Sequence, residues 1–256
     1  MPPNIAPYYD AVINWKKRLV REMPLIERLA RAAGTRILVP GCGTGGHVVA
    51  LAQRGFDVLG FDSDPSTVEF TRRRIVSAAT AIAAASGKAD VQLLAMENAA
   101  ELGSEFDAAF CLGNALPGLS QEGQVLAALA SISKALRQGG VFLTQNLNYD
   151  LRWRQRVSEF PLLTGETPRE EVLLVKFADY QADHINFHGL FLVREKPAGK
   201  WQSFPRASRQ IPLFRELLVD LAIQSGFGEL QFWGDYAETP FDPEKSNDLI
   251  LAAHKL

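Results

Sequence analysis

Cysteine is scarce: Cys42 and Cys111 are the only two in 256 residues. Neither belongs to a C-x-x-C pair, so a disulfide framework or cysteine-rich zinc site has no support, and both are expected to pack as small buried residues. A surplus of one charge is also missing, since 27 Lys and Arg stand against 29 Asp and Glu for a formal charge of −2. Without a broad positive field to hold a phosphate backbone, nucleic acid is not an expected partner. Long apolar runs are absent as well. The uncharged stretch 75–87 is Ala- and Ser-rich and shorter than the ~20 apolar residues of a spanning helix, so no membrane partner is expected. Met1-Pro2-Pro3-Asn4 lacks a basic segment followed by an apolar core, which predicts no secretory signal and a cytoplasmic protein. Among only four histidines, His184 and His188 invite a metal reading with Asp183. Their stretch is strand-like, which sets them about 13 Å apart at ~3.3 Å per residue, so no metal is expected.

What is present is a chain that is 47% hydrophobic and 22% charged, enough for a sizeable core in one domain. Residues 11–33 mix apolar and charged side chains at helical spacing, with Pro24 expected to start a second helix or kink the first. Short apolar runs at 36–40, 57–61, 91–94, 107–112 and 141–146 alternate with helical patterns at 47–54, 66–85 and 121–137. Five such strands interleaved mainly with helices predict a doubly wound α/β fold with a mostly parallel sheet. Beyond Asp150 the texture becomes β-branched and aromatic at 171–177, 185–194 and 201–210, which predicts an antiparallel insertion. A helix at 213–225 and strands at 229–234 and 249–254 follow, bringing the main sheet to seven strands.

The strongest local signal is Gly41-Cys42-Gly43-Thr44-Gly45-Gly46, set between the first strand and a helix. Glycines there let the backbone turn tightly and approach a ligand, and the free N–H groups of the following helix favour an electron-rich group. The string also fits G-x-G-x-x-G, so alone it does not separate dinucleotide sites from other nucleoside sites. Asp62 ends the second strand, where a carboxylate can accept both hydroxyls of a ribose. Asp62, Ser63, Asp64 and Pro65 all suit a helix start as well, and the consistent division gives Asp62 the ribose and Asp64 or Ser63 the cap.

These residues resemble the class I S-adenosylmethionine-dependent methyltransferases. Residues 37–45 look like that family's first motif, Asp62-Ser63-Asp64-Pro65 like its acidic second-strand end, and Leu136-Arg137-Gln138-Gly139-Gly140 like the turn before its fifth strand. Cys111-Leu112-Gly113-Asn114 and Asn148-Tyr149-Asp150 look like the glycine and sarcosine N-methyltransferase branch, and Tyr8-Tyr9-Asp10 with Trp15 resembles the segment with which that branch closes over its cofactor. The resemblance implies a Rossmann-like methyltransferase fold with an antiparallel lid. Its parts would be an N-terminal helical segment (1–33), a cofactor core (34–150), a substrate lid (151–210) and a closing helix and hairpin (211–256). S-adenosylmethionine is the implied cofactor and S-adenosylhomocysteine the product. The implied cofactor contacts are Gly41, Cys42, Gly43, Gly45, Asp62, Ser63, Met96, Glu97, Leu112, Asn114, Trp15 and Arg18. Tyr9, Asn114, Asn148, Arg152 and Arg206 are implied for the substrate, with Asn148 and Tyr149 as catalytic candidates.

Three positions depart from the pattern. Val39 stands where the first strand usually carries an Asp, and Ala95 where an acid meets the adenine amino group, which leaves adenine to the Met96 backbone and to Glu97 or Asn98. Leu147 replaces the basic residue that receives a glycine carboxylate. The implied acceptor is a small amine other than glycine, on a monomer or homodimer. A hydroxyl acceptor would want a base such as Tyr149 or His188. A cofactor-binding protein without catalysis and a nicotinamide-dependent oxidoreductase are the alternatives from other classes.

Overall fold

The computed structural model describes residues 4–256; Met1, Pro2 and Pro3, part of the stretch read for a secretory signal, lie outside the described residues. The chain opens with α1 (Ala6–Val12) and α2 (Trp15–Ala33). It continues through β1 (Arg36–Pro40), α3 (Gly46–Ala52), β2 (Asp57–Asp62), α4 (Pro65–Ala84), β3 (Lys88–Leu93), β4 (Phe106–Cys111), α5 (Glu122–Ala135) and β5 (Leu136–Leu147). After α6 (Tyr149–Gln155) come β6 (Leu163–Glu166), β7 (Glu170–Tyr180), β8 (Ile185–Glu195) and β9 (Gln202–Gln210). The chain then closes with α7 (Arg215–Gln224), β10 (Phe227–Trp233) and β11 (Asp248–Lys255).

Seven strands form the main sheet in the order β10-β11-β5-β4-β1-β2-β3. β1 to β5 are parallel, while β11 runs antiparallel to both β5 and β10. The two-residue period of its strands sends alternate side chains to opposite faces. Leu38, Ala109, Cys111 and Phe142 pack under α5 and α7, whereas Ile37, Val39, Ala108 and Phe110 pack under α2, α3 and α4. Burying each large apolar side chain contributes about 1.5–3 kcal/mol, so this double-sided core dominates stability.

The second sheet, β6-β7-β8-β9, is antiparallel throughout. It has four strands rather than the three legible from composition, because β6 is only four residues long and its Gly165 hides the strand pattern. That glycine is required by packing: a Cβ there would lie 2.1 Å from the Ala11 carbonyl oxygen, so α1 rests directly on β6. Val12 completes the contact by joining Val172, Leu174, Phe191 and Val193 in a third apolar cluster.

Two local expectations change. The break in the N-terminal helices falls at Ile13–Asn14, where the Asn14 side chain accepts from the Lys17 N–H and caps α2; Pro24 sits inside that helix. Its missing N–H would leave the carbonyl of Val20, which is 74% exposed and open to water, while the helix gains by burying Met23, Leu25, Ile26 and Ala30. Gly139-Gly140 lies within irregular β5 rather than in a separate turn, with the register against β4 shifting between Phe106 and Ala108.

Candidate active site

The carboxyl ends of β1, β2, β4 and β5 open into three joined cavities, where open α/β sheets bind their ligands. The first, about 440 Å3, is lined by Gly41, Asp62, Ser63, Leu94, Met96 and Glu97, among others. The second, about 90 Å3, shares Gly41 and Ala115 with it and adds Trp15, Arg18, Cys42, Gly43 and Leu112. The third, about 700 Å3, shares Tyr9, Ile13, Arg18 and Gly113 with the second and extends under the antiparallel sheet to Arg152, Phe160, Lys176, Phe187 and Gln210.

The turn after β1 owes its shape to its glycines. Gly43 has φ +54, and a Cβ built there would meet nothing within 4 Å, so its backbone lies open to the cavity. Gly46 answers the opposite need, because a Cβ there would lie 2.3 Å from the Trp15 ring. Thr71 Oγ1 donates to the Gly43 carbonyl at 2.7 Å and fixes the loop to α4. Asp62 accepts from the Gly43 N–H at 3.0 Å and from the Asp64 N–H at 3.1 Å, leaving further lone pairs toward the cavity. Burial raises its pKa against the pull of those N–H bonds, the state of a carboxylate that gains from hydroxyl donors. Capping of α4 falls to Asp64, which accepts from the Ser66 and Thr67 N–H groups.

The N-terminal segment closes the middle cavity through one carboxylate. Asp10 accepts from Trp15 Nε1 at 2.6 Å, from Thr44 Oγ1 at 2.8 Å and from Arg74 at 2.7 Å. Tyr8 reaches the other way, donating to Glu170 at 2.9 Å and stacking on Phe204. Arg18 holds Glu22 through Nε at 3.0 Å, and its terminal nitrogens face Gly113, where a Cβ would sit 3.1 Å from NH2. Burial would raise the Glu22 pKa, but the hydrogen bonds from His47 and Arg21 and the charge of Arg18 bring it down to about 2. Burial also lowers the pKa of His47, which points to a neutral ring donating to Glu22 at 2.7 Å.

A second polar network joins the two sheets. The Asn114 amide nitrogen donates to Tyr149 Oη and to Gln210 Oε1, each at 2.9 Å, while its oxygen accepts from the Leu147 N–H. The Tyr149 hydroxyl donates to the same Gln210 oxygen at 2.8 Å.

Several expected positions change role here. Tyr149 is fully buried, absent from the cavity linings, and its phenol is pushed well above its ordinary pKa by burial; its hydroxyl is engaged with Asn114 and Gln210. Asn148 is also fully buried. It caps α6 and donates to the Ser246 carbonyl at 2.8 Å, which ties α6 to the 242–246 loop. Arg206 lies on β9, opposite Gly189, outside the three linings, and its NH1 donates to the Pro205 carbonyl. His188 stacks on Phe177 on the sheet face opposite Lys176. Glu97 remains at the first cavity but accepts from Gln124 at 3.3 Å. Both cysteines are buried, and burial pushes Cys111 up to about 12, so its thiol stays protonated.

Lys176, Gln145 and Gln210 escaped the sequence reading. A signal existed for the first: on β7 the inward positions are Val172, Leu174, Lys176 and Ala178, one lysine in an otherwise apolar phase. Among the described residues no group of three or more His, Cys, Asp or Glu side chains is placed to hold a metal, and no helix is long and apolar enough to cross a membrane.

Comparison with known proteins points the same way as the geometry. Residues 37–140 match the methyltransferase domain family. A glycine/sarcosine N-methyltransferase of Parasynechococcus marenigrum (strain WH8102) is 30% identical over 143 residues, covering 56% of this chain and 49% of that protein. The chain thus aligns with about half the length of that relative. In fold it is similar to an S-adenosylmethionine-dependent methyltransferase from Clostridium acetobutylicum (TM-score 0.75, 13% identity, 94% and 92% of the two chains). It is also similar to an amino pentose methyltransferase from Micromonospora echinaspora solved with S-adenosylmethionine bound (TM-score 0.70, 21% identity, 95% and 92%).

Residues 37–140 carry a methyltransferase domain, and the fold is similar to that of the class I S-adenosylmethionine-dependent methyltransferases. S-adenosylmethionine is the cofactor of that class, and the residues present suit it: an open backbone at Gly43, a half-buried carboxylate at Asp62 and an arginine beside Gly113.

Proposed function

We propose that the chain transfers a methyl group to the nitrogen of a small-molecule amine. The supporting observation is the continuity of the cavities: the largest one meets the middle one at Gly113 and Arg18 and runs under the antiparallel sheet. Asp62 would hold the ribose hydroxyls, the Gly41–Gly45 backbone the length of the cofactor, and Arg18 its carboxylate. When bound, the cofactor supplies an already electrophilic methyl group, so the protein's task is to align a nucleophile and exclude water. Tyr9 and Ile13 from the N-terminal segment wall the meeting point, and Phe187 from β8 lines the acceptor cavity. The segments 1–33, 34–150, 151–210 and 211–256 then act as one catalytic unit with residues 151–210 as its lid.

Nitrogen is favoured over oxygen because both candidate bases for a hydroxyl are out of place: the Tyr149 phenol is buried in its network and His188 faces away. A neutral amine needs no base to attack. Leu147 lines the acceptor cavity and offers no charge to a glycine carboxylate, so weak turnover of glycine and sarcosine is expected. The test is S-adenosylhomocysteine release from a panel of amines, amino acids and phenols, with calorimetric titration of S-adenosylhomocysteine. Asp62→Ala should weaken that binding by about 1.5–3 kcal/mol, the loss of a charge-assisted hydrogen bond. Unchanged affinity would remove Asp62 from the site, and activity confined to phenols would overturn the amine.

A further inference from the structure

Among the described residues, the acceptor cavity holds two half-buried cations with no acid of their own, the exposed Lys17 at its rim aside. Arg152 projects from α6 and Lys176 from the inner face of β7, and both line the cavity. Each lies 5.4 Å from the centroid of the same Phe160 ring. By contrast Arg154 of α6 pairs with Glu244, Arg194 of β8 with Glu171 of β7, and Lys196 just beyond β8 with Glu166 of β6. Neither Arg152 nor Lys176 forms an ion pair or donates a side-chain hydrogen bond among the described residues.

The nearby acids are committed. Glu22 is held by Arg18, Arg21 and His47. Asp248, which feels the charges of Arg21 and Arg152, accepts from Gln145 at 2.8 Å. Burial and the Arg152 charge both lower the Lys176 pKa. Two half-buried like charges beside one aromatic ring carry a desolvation and repulsion cost that an anion between them would offset.

We propose that Arg152 and Lys176 form an oxyanion-binding end of the acceptor cavity, so that the acceptor is an amine also bearing a carboxylate or a phosphate. This rests on the methyl-transfer reading and deepens it. The charge absent at Leu147 is supplied from the lid side, and the acid group lies on the Phe160 wall instead of beside β5. The cavity of about 700 Å3 has room for a spacer between amine and acid, which glycine lacks.

The experiment uses matched acceptors: 3-aminopropanoate and 4-aminobutanoate, each against its carboxamide, and phosphoethanolamine against ethanolamine. The expected result is a preference for the acid over its neutral partner by about tenfold or more in kcat/KM, the worth of a charge-assisted contact. That ratio should collapse toward one in Lys176→Met and Arg152→Leu. The carboxylate and phosphate arms report which oxyanion fits. Equal use of acid and neutral partners, or a ratio unchanged in both variants, would overturn the site. A turnover-free arm titrates acetate and inorganic phosphate into the protein saturated with S-adenosylhomocysteine. Saturable binding lost in the variants, with their S-adenosylhomocysteine affinity retained as proof of folding, supports the site even if every amine fails, a result that would count against methyl transfer alone. Anion binding equal in wild type and variants, or absent from wild type, sinks the oxyanion site whatever the turnover.

Discussion

Glu22 has 1% of its surface exposed and yet is ionised, a state that only its three partners make affordable. Its pKa of about 2 lies below the ordinary 4.5, so its contribution to stability is complete above pH ~4.5 and is lost as pH falls toward 2. A displacement of that size is worth about 3 kcal/mol. Glu22→Gln should therefore lower unfolding stability by roughly this amount at pH 7, with the gap to wild type closing as pH drops. Urea unfolding from pH 3 to 7 measures it, and a gap independent of pH would show that packing rather than charge is at stake. Tyr149→Phe should cost about 1–2 kcal/mol by stripping a buried hydrogen bond. It should leave the pH dependence of kcat/KM unaltered; loss of a basic limb in that profile would restore the phenol as a base.

At the scale of elements, α1 joins the two sheets. One short helix binds the cofactor turn through Asp10 and the lid through Tyr8 and the Gly165 contact. Asp10→Ala frees Trp15 Nε1, Thr44 and Arg74 together, so α1 should loosen from the glycine turn. Hydrogen exchange of residues 6–12 should be slow in wild type with S-adenosylhomocysteine and fast in this variant; identical exchange would separate α1 from the closure. The helix-strand alternation of residues 36–147 was legible because each strand is an apolar run between turn residues, and the Asp62/Asp64 division followed from capping chemistry. The span of α2 across Pro24, the short β6 and the roles of Asn148 and Tyr149 were not, because each depends on what a distant segment packs against it.

For the whole molecule, the main sheet and the lid share residues of one network, Asn114, Tyr149 and Gln210, and a second bridge at Tyr8 and Glu170. Such coupling predicts one cooperative unfolding transition. Tryptophan fluorescence, from Trp15 and Trp233 around the main sheet and from Trp153 and Trp201 by the antiparallel sheet, should report the same midpoint as far-ultraviolet circular dichroism. S-adenosylhomocysteine at ~100 times its Kd should raise both by the equivalent of about 2.7 kcal/mol. Two separated transitions would mean that the lid folds on its own. The sequence by itself determined the strand order's raw material, the glycine turn and the Asp62 carboxylate, since these depend on local backbone freedom and on residues adjacent in the chain; the cofactor came from the resemblance those motifs carry. Only the tertiary structure decided the acceptor cavity. Arg18, Asn114, Arg152, Lys176 and Gln210 come from five separate elements or loops, and their charges and hydrogen bonds acquire meaning only once folding has fixed which of them are paired, which are buried and which still face open space.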